Sequence, residues 1–146
     1  VFSTLWSHIS IQNEFLIEQS VSDFDCITKQ DRKLKAADFN ALHSESLRFL
    51  EKSLVEKKDR TVVVPHHLPS VFCNSPEHKN SSINEAFSVE LTNFIEDSNA
   101  NFWIYGHSHF NQKPLYIGNT LMLTNQLGYV HCKEHGKFKH NAYFAL

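Results

Sequence analysis

Two histidines stand one residue apart directly after a short apolar run. The run, residues 102–105, is aromatic and β-branched, which predicts a buried strand, and Gly106 after it permits a sharp turn. His107 and His109 therefore follow the carboxyl end of a strand, where open α/β sheets place their ligands. Imidazoles at this spacing in a loop can serve two neighbouring metal ions. Taken alone, the sequence of this pair fits a turn with two surface histidines as well as it fits a metal-binding loop.

A second β-branched run also ends in histidines. Residues 61–64 include an uninterrupted valine triplet, typical of a strand covered on both faces, and His66 and His67 follow one residue later. Neutral imidazole is a ligand for zinc, iron, nickel and copper. We expect the two strands to be neighbours or near neighbours in a sheet, with His66 within about 10 Å of His107 so that both reach one ion.

Together these motifs resemble the calcineurin-like metallophosphoesterases. The matching segments are residues 62–69 and 105–109, which are similar to that family's late metal-ligand motifs, and residues 123–129, which are similar to the strand that closes its site. Residues 4–7 also resemble a strand found midway through bacterial members. The resemblance covers nearly all of the 146 residues, in the same order and spacing. It implies an α/β fold, part of an αββα sandwich with helices packed on mixed β-sheets.

The resemblance also implies a hydrolase, a phosphatase that cleaves a phosphomonoester or phosphodiester at two divalent metal ions. The ions are Mn, Zn, Fe or Mg, held about 3.5–4 Å apart to bind phosphoryl oxygens and acidify a bridging water. By resemblance, His66 and His107 bind one ion and His109 the other. His67 orients a ligand, contacts phosphate or simply packs. Two residues are candidates for the pocket wall: Asn125 and Tyr129.

The early motifs of that family are absent. There is no Asp-x-His, no Gly-Asp-x-x-Asp and no Gly-Asn-His-Asp/Glu, and all four glycines lie at position 106 or later. Residues 1–146 are therefore interpreted as the C-terminal portion of a single calcineurin-like phosphoesterase domain, weak or inactive alone. We expect a missing N-terminal segment or a second copy in a homo-oligomer to cover an apolar face.

Composition and net charge restrict the classes of partner and the compartment that we expect for the chain. A net charge of -2 does not indicate nucleic acid or an anionic membrane as a partner. No apolar run has the length of a membrane span, and no signal-peptide pattern opens the chain. The three cysteines are far apart and form no Cys-x-x-Cys pair, which favours reduced thiols in a cytoplasmic protein. Asp23 and Asp25 are interpreted as part of a solvated loop rather than a metal site.

Hydrophobic periodicity predicts the elements that position these residues. Helices are expected over residues 36–57 and 82–97, the second opened by a capping box of Ser82 and Glu85. Residues 115–117 and 121–124 predict a hairpin around Gly118 and Asn119. Further strands are expected at 1–6, 129–132 and 142–146, with an exposed turn over 133–140.

Three classes of function remain open. The chain is part of a metal-dependent phosphoesterase that turns over phosphate esters, or a non-catalytic remnant that binds metal or a partner. Alternatively, it is an unrelated zinc-binding α/β module that uses the same three histidines.

Overall fold

Five strands form one mixed sheet in a computed structural model that describes residues 1–55 and 60–145. The sheet order is β1-β4-β5-β7-β6. Its strands are β1 (Phe2–Ser3), β4 (Val62–Pro65), β5 (Phe102–Ile104), β6 (Leu115–Ile117) and β7 (Thr120–Leu123), while a separate short ribbon joins β2 (Thr28–Lys29) to β3 (Arg32–Lys33). The helices are α1 (Glu14–Ser20), α2 (Asp23–Cys26), α3 (Ala36–Leu54) and α4 (Thr92–Asp97).

The strands that carry the histidine loops are direct neighbours. β4 and β5 run parallel, with Val62 opposite Phe102 and Val63 opposite Trp103. β5 is also parallel to β7, and β6 and β7 form an antiparallel hairpin. The predicted strand pairing and the predicted hairpin are therefore confirmed, within a mixed α/β architecture. The expected first strand, residues 1–6, is reduced to Phe2–Ser3.

The two faces of this sheet are buried to different degrees. On one face, Val63, Trp103 and Met122 are almost completely buried and pack in one cluster with Leu50 of α3 and Ile95 of α4. Since side chains alternate along a strand, the intervening apolar residues face the other way. That second row is only half-buried: Val62, Val64, Phe102, Ile104, Leu121 and Leu123.

A second apolar cluster lies beneath the first two helices. It joins Ile17 of α1 and Phe24 of α2 to Phe39 of α3, and all three side chains are buried. This cluster holds the segment between β1 and α3 against the rest of the protein. α2 thereby lies next to the loop that follows β4.

The predicted helix over residues 82–97 is wrong for its first half. Only a 3-10 turn, Asn84–Ala86, and the six-residue α4 form there. Glu85 caps no helix, because its carboxylate accepts hydrogen bonds from the backbone N–H and hydroxyl of Ser10. Ser88 instead makes a parallel bridge to Leu68, and this pairing consumes the backbone groups that a helix would need.

Other element boundaries also differ from the predictions. α3 ends at Leu54, while Lys57, the predicted end, lies outside the described residues. Residues 129–132 form a 3-10 turn, Val130–Cys132, instead of a strand. Residues 142–145 contain no strand either, and residue 146 lies outside the described range. Between these two segments, the Asn125 side chain bonds both the N–H and the carbonyl of Lys139.

None of the helices in the described ranges has the length and apolar character needed to span a membrane.

Candidate functional site

The carboxyl ends of β4 and β5 bring two predicted metal ligands into contact. The backbone N–H of Gly106 donates to the carbonyl of His66 at 3.1 Å, which extends the parallel pairing into the loops. His107 Nδ1 then lies 2.9 Å from His66 Nε2. The expected proximity of these two side chains is therefore met, although they are 41 residues apart in sequence.

The histidine loop turns at its histidines and not at its glycine. His107 and His109 have φ values of 72° and 53°, whereas Gly106 does not have a positive φ. A β-carbon on Gly106 would approach no closer than 3.6 Å to the His66 carbonyl oxygen, which is ordinary contact. The sharp turn predicted at Gly106 is thus wrong in position. A non-glycine residue in the left-handed region costs about 1–2 kcal/mol, so the surrounding structure must hold both histidines in place.

Gln126 supplies much of that restraint. Its side-chain oxygen accepts the backbone N–H of His109 at 2.7 Å, and its amide nitrogen donates to the carbonyl of Phe110 at 3.0 Å. The same nitrogen donates to the hydroxyl of Thr124, at the end of β7, at 2.8 Å. Gln126 is buried and was not singled out from sequence. Its place within residues 123–129, one of the three segments that carry the resemblance, was the available signal.

Burial keeps the adjoining imidazoles uncharged at neutral pH. Desolvation, followed by the neighbouring His67 and His66, lowers the pKa of His107 to about 3. Burial also lowers the pKa of His66, an effect that the nearby carboxylate of Asp23 opposes. A neutral imidazole has a free lone pair on one ring nitrogen, and this uncharged form is the one that binds a metal ion.

His67 lies behind this pair, almost fully buried at 3% exposure. Its ring centroid is 4.3 Å from that of His107 and 5.4 Å from that of Trp6. Burial lowers the pKa of His67 to about 4. Its Nδ1 lies 3.4 Å from the Thr4 carbonyl oxygen, and its Nε2 is buried with no hydrogen-bond partner in the described part of the chain.

His109 lies apart from this cluster but lines the same cavity. Its Nδ1 is 2.9 Å from an oxygen of Glu134, and its ring centroid is 4.5 Å from that of Tyr129, edge to face. Glu134 was not identified from sequence, where residues 133–140 predicted only an exposed turn. The structure forms a 3-10 turn there, Glu134–Lys137.

The cavity has a volume of about 630 Å³ and joins all three predicted ligands to one acidic side chain from α2. Asp23 lines it together with His66, His107, His109 and Tyr129. Asp25, in contrast, is exposed and forms an ion pair with Lys33. Asp25 is thus solvated as expected, although it lies on α2 and not in a loop, whereas Asp23 lines the cavity of the candidate site. Asn125, the other proposed wall residue, is not among the residues that line the cavity.

The donor set fits part of one metal site. Two nitrogens about 2.0–2.1 Å from one ion lie roughly 2.9 Å apart at a right angle and roughly 3.3 Å apart at the tetrahedral angle of zinc, and His66 Nε2 and His107 Nδ1 are 2.9 Å apart. The same distance also suits a direct hydrogen bond between the rings. Within residues 1–55 and 60–145, no group of three or more His, Cys, Asp or Glu side chains is arranged to hold a metal ion.

Comparison with known proteins adds one relative. No protein-family model matches the chain, and no solved structure matches it. The sequence is 33% identical over 155 aligned positions to an uncharacterized protein of Acanthamoeba polyphaga mimivirus. The alignment covers 99% of this chain and 54% of that protein. The chain therefore spans about half the length of the curated relative that it matches.

Proposed function

We propose that the chain supplies metal-binding histidines to a metal-dependent phosphoesterase, which hydrolyses a phosphomonoester or phosphodiester. The observation that carries the proposal is the meeting of two histidine loops at the carboxyl edge of parallel strands, with His66 Nε2 2.9 Å from His107 Nδ1. The resemblance of both loops to calcineurin-like motifs predicts that these two side chains lie within reach of one ion. Both rings are neutral and both line a cavity large enough for a small phosphate ester.

The histidines would divide between two divalent ions, which are Mn, Zn, Fe or Mg. His66 and His107 would hold one ion and His109 the other. When bound, such ions polarise phosphoryl oxygens and lower the pKa of a coordinated water. His67 would act by fixing the position of His107. Its uncharged ring packs on that of His107 and restricts the orientations open to the ligand.

We propose that the remaining ligands, including carboxylates, belong to a larger domain of the αββα type. Two observations support this. One face of the sheet carries a row of half-buried apolar side chains, which a second sheet or a second copy of the chain would cover. The viral relative is nearly twice as long as the aligned region. Accordingly, the 146 residues alone would bind metal weakly and hydrolyse phosphate esters near the background rate.

We assign the protein to the cytoplasm as part of the same proposal. All three cysteines are free in the structure, as expected of thiols in a reducing compartment.

A non-catalytic module is the second candidate function. The 2.9 Å separation of His66 and His107 equally suits two rings that hydrogen-bond to each other without a metal. In that case the three histidines would bind metal or a partner, or would only stabilise the loops.

The test compares the 146-residue chain with the longest protein encoded by its gene. Bound metal is counted per chain, and hydrolysis of p-nitrophenyl phosphate and bis-p-nitrophenyl phosphate is measured. We expect two metal ions and turnover in the longer protein, and at most one weakly bound ion in the shorter chain. His107→Ala should abolish most of the activity, whereas His140→Ala, at an exposed position, should not.

Two results would contradict the proposal. The first is normal metal content and activity in the His107→Ala protein. The second is full activity with two tightly bound ions in the 146-residue chain, which would mean that other residues build the site. A longer protein that binds metal but hydrolyses neither ester would favour the non-catalytic module.

A further inference from the structure

The cavity wall around His109 is built by a segment that returns from the end of the sheet. After β7 the chain passes Gly128 and Tyr129, and Lys133 then adopts a left-handed conformation with φ of 62°. This turn brings Glu134 back against His109. Glu134 Oε2 lies 2.9 Å from His109 Nδ1 and also accepts the backbone N–H of Tyr129.

The contact between Glu134 and His109 is close because both side chains pack against Gly128, which has no side chain of its own. Gly128 has a φ of 66°, a conformation that other residues rarely adopt. A β-carbon there would lie 2.7 Å from Glu134 Cβ and 3.1 Å from His109 Cβ. Both side chains therefore occupy the space that any larger residue at position 128 would fill. Their mutual placement depends on this backbone and not only on the hydrogen bond between the two side chains.

The Tyr129 ring packs against another side of the His109 imidazole and restricts its orientation. It meets the His109 ring edge to face at 4.5 Å. His109 is 31% and Glu134 34% exposed in their side chains, so the pair is partly shielded from water. The backbone N–H of His109 is bonded to Gln126 as well. Main chain and ring are thus both held, and His109 lines the cavity.

The chemistry of this contact selects one form of the imidazole. A neutral imidazole carries its proton on one nitrogen and a lone pair on the other. A carboxylate, ionised at neutral pH, only accepts hydrogen bonds, so the nitrogen that faces it must carry the proton. His109 then donates from Nδ1 and keeps its lone pair on Nε2. Carboxylates that bond the far nitrogen of a metal-binding histidine fix its tautomer and orientation and raise its basicity.

We propose that Glu134 is a positioning residue that holds His109 in the Nδ1-protonated tautomer, with Nε2 free to bind a divalent cation. The inference rests on the proposed function for the role of His109 as a ligand. It adds Glu134, which lies in a segment that carries no recognised motif, and it assigns Nε2 as the nitrogen of His109 that binds the cation.

The tautomer is measured directly by NMR of protein labelled with nitrogen-15 in its histidines, free of metal, at pH 8. The two ring nitrogens of a neutral histidine have well-separated chemical shifts, so the protonated one is identified. We expect Nδ1–H for His109 in the unsubstituted protein and a shift toward Nε2–H in Glu134→Ala. Glu134→Gln keeps an acceptor oxygen and should largely retain the Nδ1–H form. Glu45→Gln, at an exposed position on α3, should change nothing.

Zinc titration of the longest protein encoded by the gene, followed by calorimetry, gives the second readout. Loss of such a carboxylate partner weakens metal binding by about 10–100-fold, so Glu134→Ala should show a loss of that size. Glu134→Gln should lose less, and Glu45→Gln should bind as the unsubstituted protein does. Circular dichroism checks that each variant is folded. If Glu134→Ala fails to fold, Glu134→Gln still tests the inference, because it must preserve the tautomer while weakening zinc binding.

The inference is overturned if His109 of the unsubstituted protein carries its proton on Nε2. It is equally overturned if a folded Glu134→Ala protein keeps both its tautomer and its zinc affinity. Neither readout depends on turnover. Absence of phosphoesterase activity, with the expected tautomer and zinc results, would refute the proposed function and support the role of Glu134.

Discussion

Replacing His67 by phenylalanine should stabilise the protein. The ring is 3% exposed and Nε2 has no hydrogen-bond partner in the described residues, and a buried unsatisfied polar atom costs roughly 1–3 kcal/mol. Little is lost at Nδ1, whose contact with Thr4 is long at 3.4 Å. The neighbours Trp6 and Phe39 are aromatic and suit a phenyl ring. After allowance for tighter packing, we expect a gain of about 1 kcal/mol at pH 8, or roughly 2–4 °C in Tm.

The gain should grow as the pH falls. Burial lowers the pKa of His67 to about 4 in the folded protein, against about 6.5 in an unfolded chain. Between these values the unfolded chain binds a proton that the folded protein excludes, so acid lowers the free energy of unfolding. One such group contributes up to about 1.4 kcal/mol per pH unit, or roughly 2 kcal/mol between pH 6.5 and 5. His67→Phe removes this loss, so its advantage should reach about 3 kcal/mol at pH 5.

Urea unfolding followed by circular dichroism at pH 8, 6.5 and 5 measures both effects. His43→Phe is the matched control. His43 is also buried, but its Nδ1 lies 2.6 Å from the Trp6 carbonyl oxygen, and loss of that bond should destabilise the protein by about 1 kcal/mol at pH 8. If His67→Phe is destabilised as much as His43→Phe, Nε2 has a partner and the reasoning fails. If its advantage does not increase in acid, the uncharged state assigned to His67 is wrong.

Two further predictions concern the scaffold. Asp38→Asn should lower Tm at neutral pH, because hydrogen bonds from Arg32 and Lys29 hold the pKa of Asp38 well below its usual range. That stabilisation is present above the ordinary carboxyl pKa and is lost as the pH falls toward the depressed one, so thermal scans at pH 7 and pH 3 should show a smaller difference at pH 3. Leu50→Ala should cost about 2–5 kcal/mol in urea unfolding, since Leu50 is fully buried on α3. Phe49→Ala, at a side chain that is 49% exposed on the same helix, should cost far less, and equal losses would contradict the assigned faces.

The strands that carry the histidine loops could be predicted from sequence because their signals are local. β-branched and aromatic runs form strands by their own shape, and parallel strands bring their carboxyl ends to one edge. The contact between His66 and His107 followed from that geometry. The helix predicted over residues 82–97 failed because Glu85 bonds Ser10, 75 residues away. Nothing near Glu85 in the sequence indicates that partner.

Two residues of the candidate site, Asp23 and Glu134, could not be predicted for a similar reason. Asp23 reaches the cavity because Phe24 anchors α2 in a core cluster, which depends on distant packing. Glu134 reaches His109 through the left-handed turn at Lys133, a conformation without a clear sequence signal. Gly128 was the one available cue, since a glycine six residues before an acid permits a close return of the chain. The positive φ of both loop histidines was equally hidden, because Gly106 beside them was the expected place for it.

The pairing of β4 with β5 also has a consequence for the order of folding. His66 and His107 are 41 residues apart, and the segment between them contains α4. Closing a loop of this length costs conformational entropy that only the completed sheet contacts offset. Such non-local pairings form slowly compared with helices and hairpins. The two imidazoles therefore meet only when β4 and β5 have paired, and their contact reports that pairing.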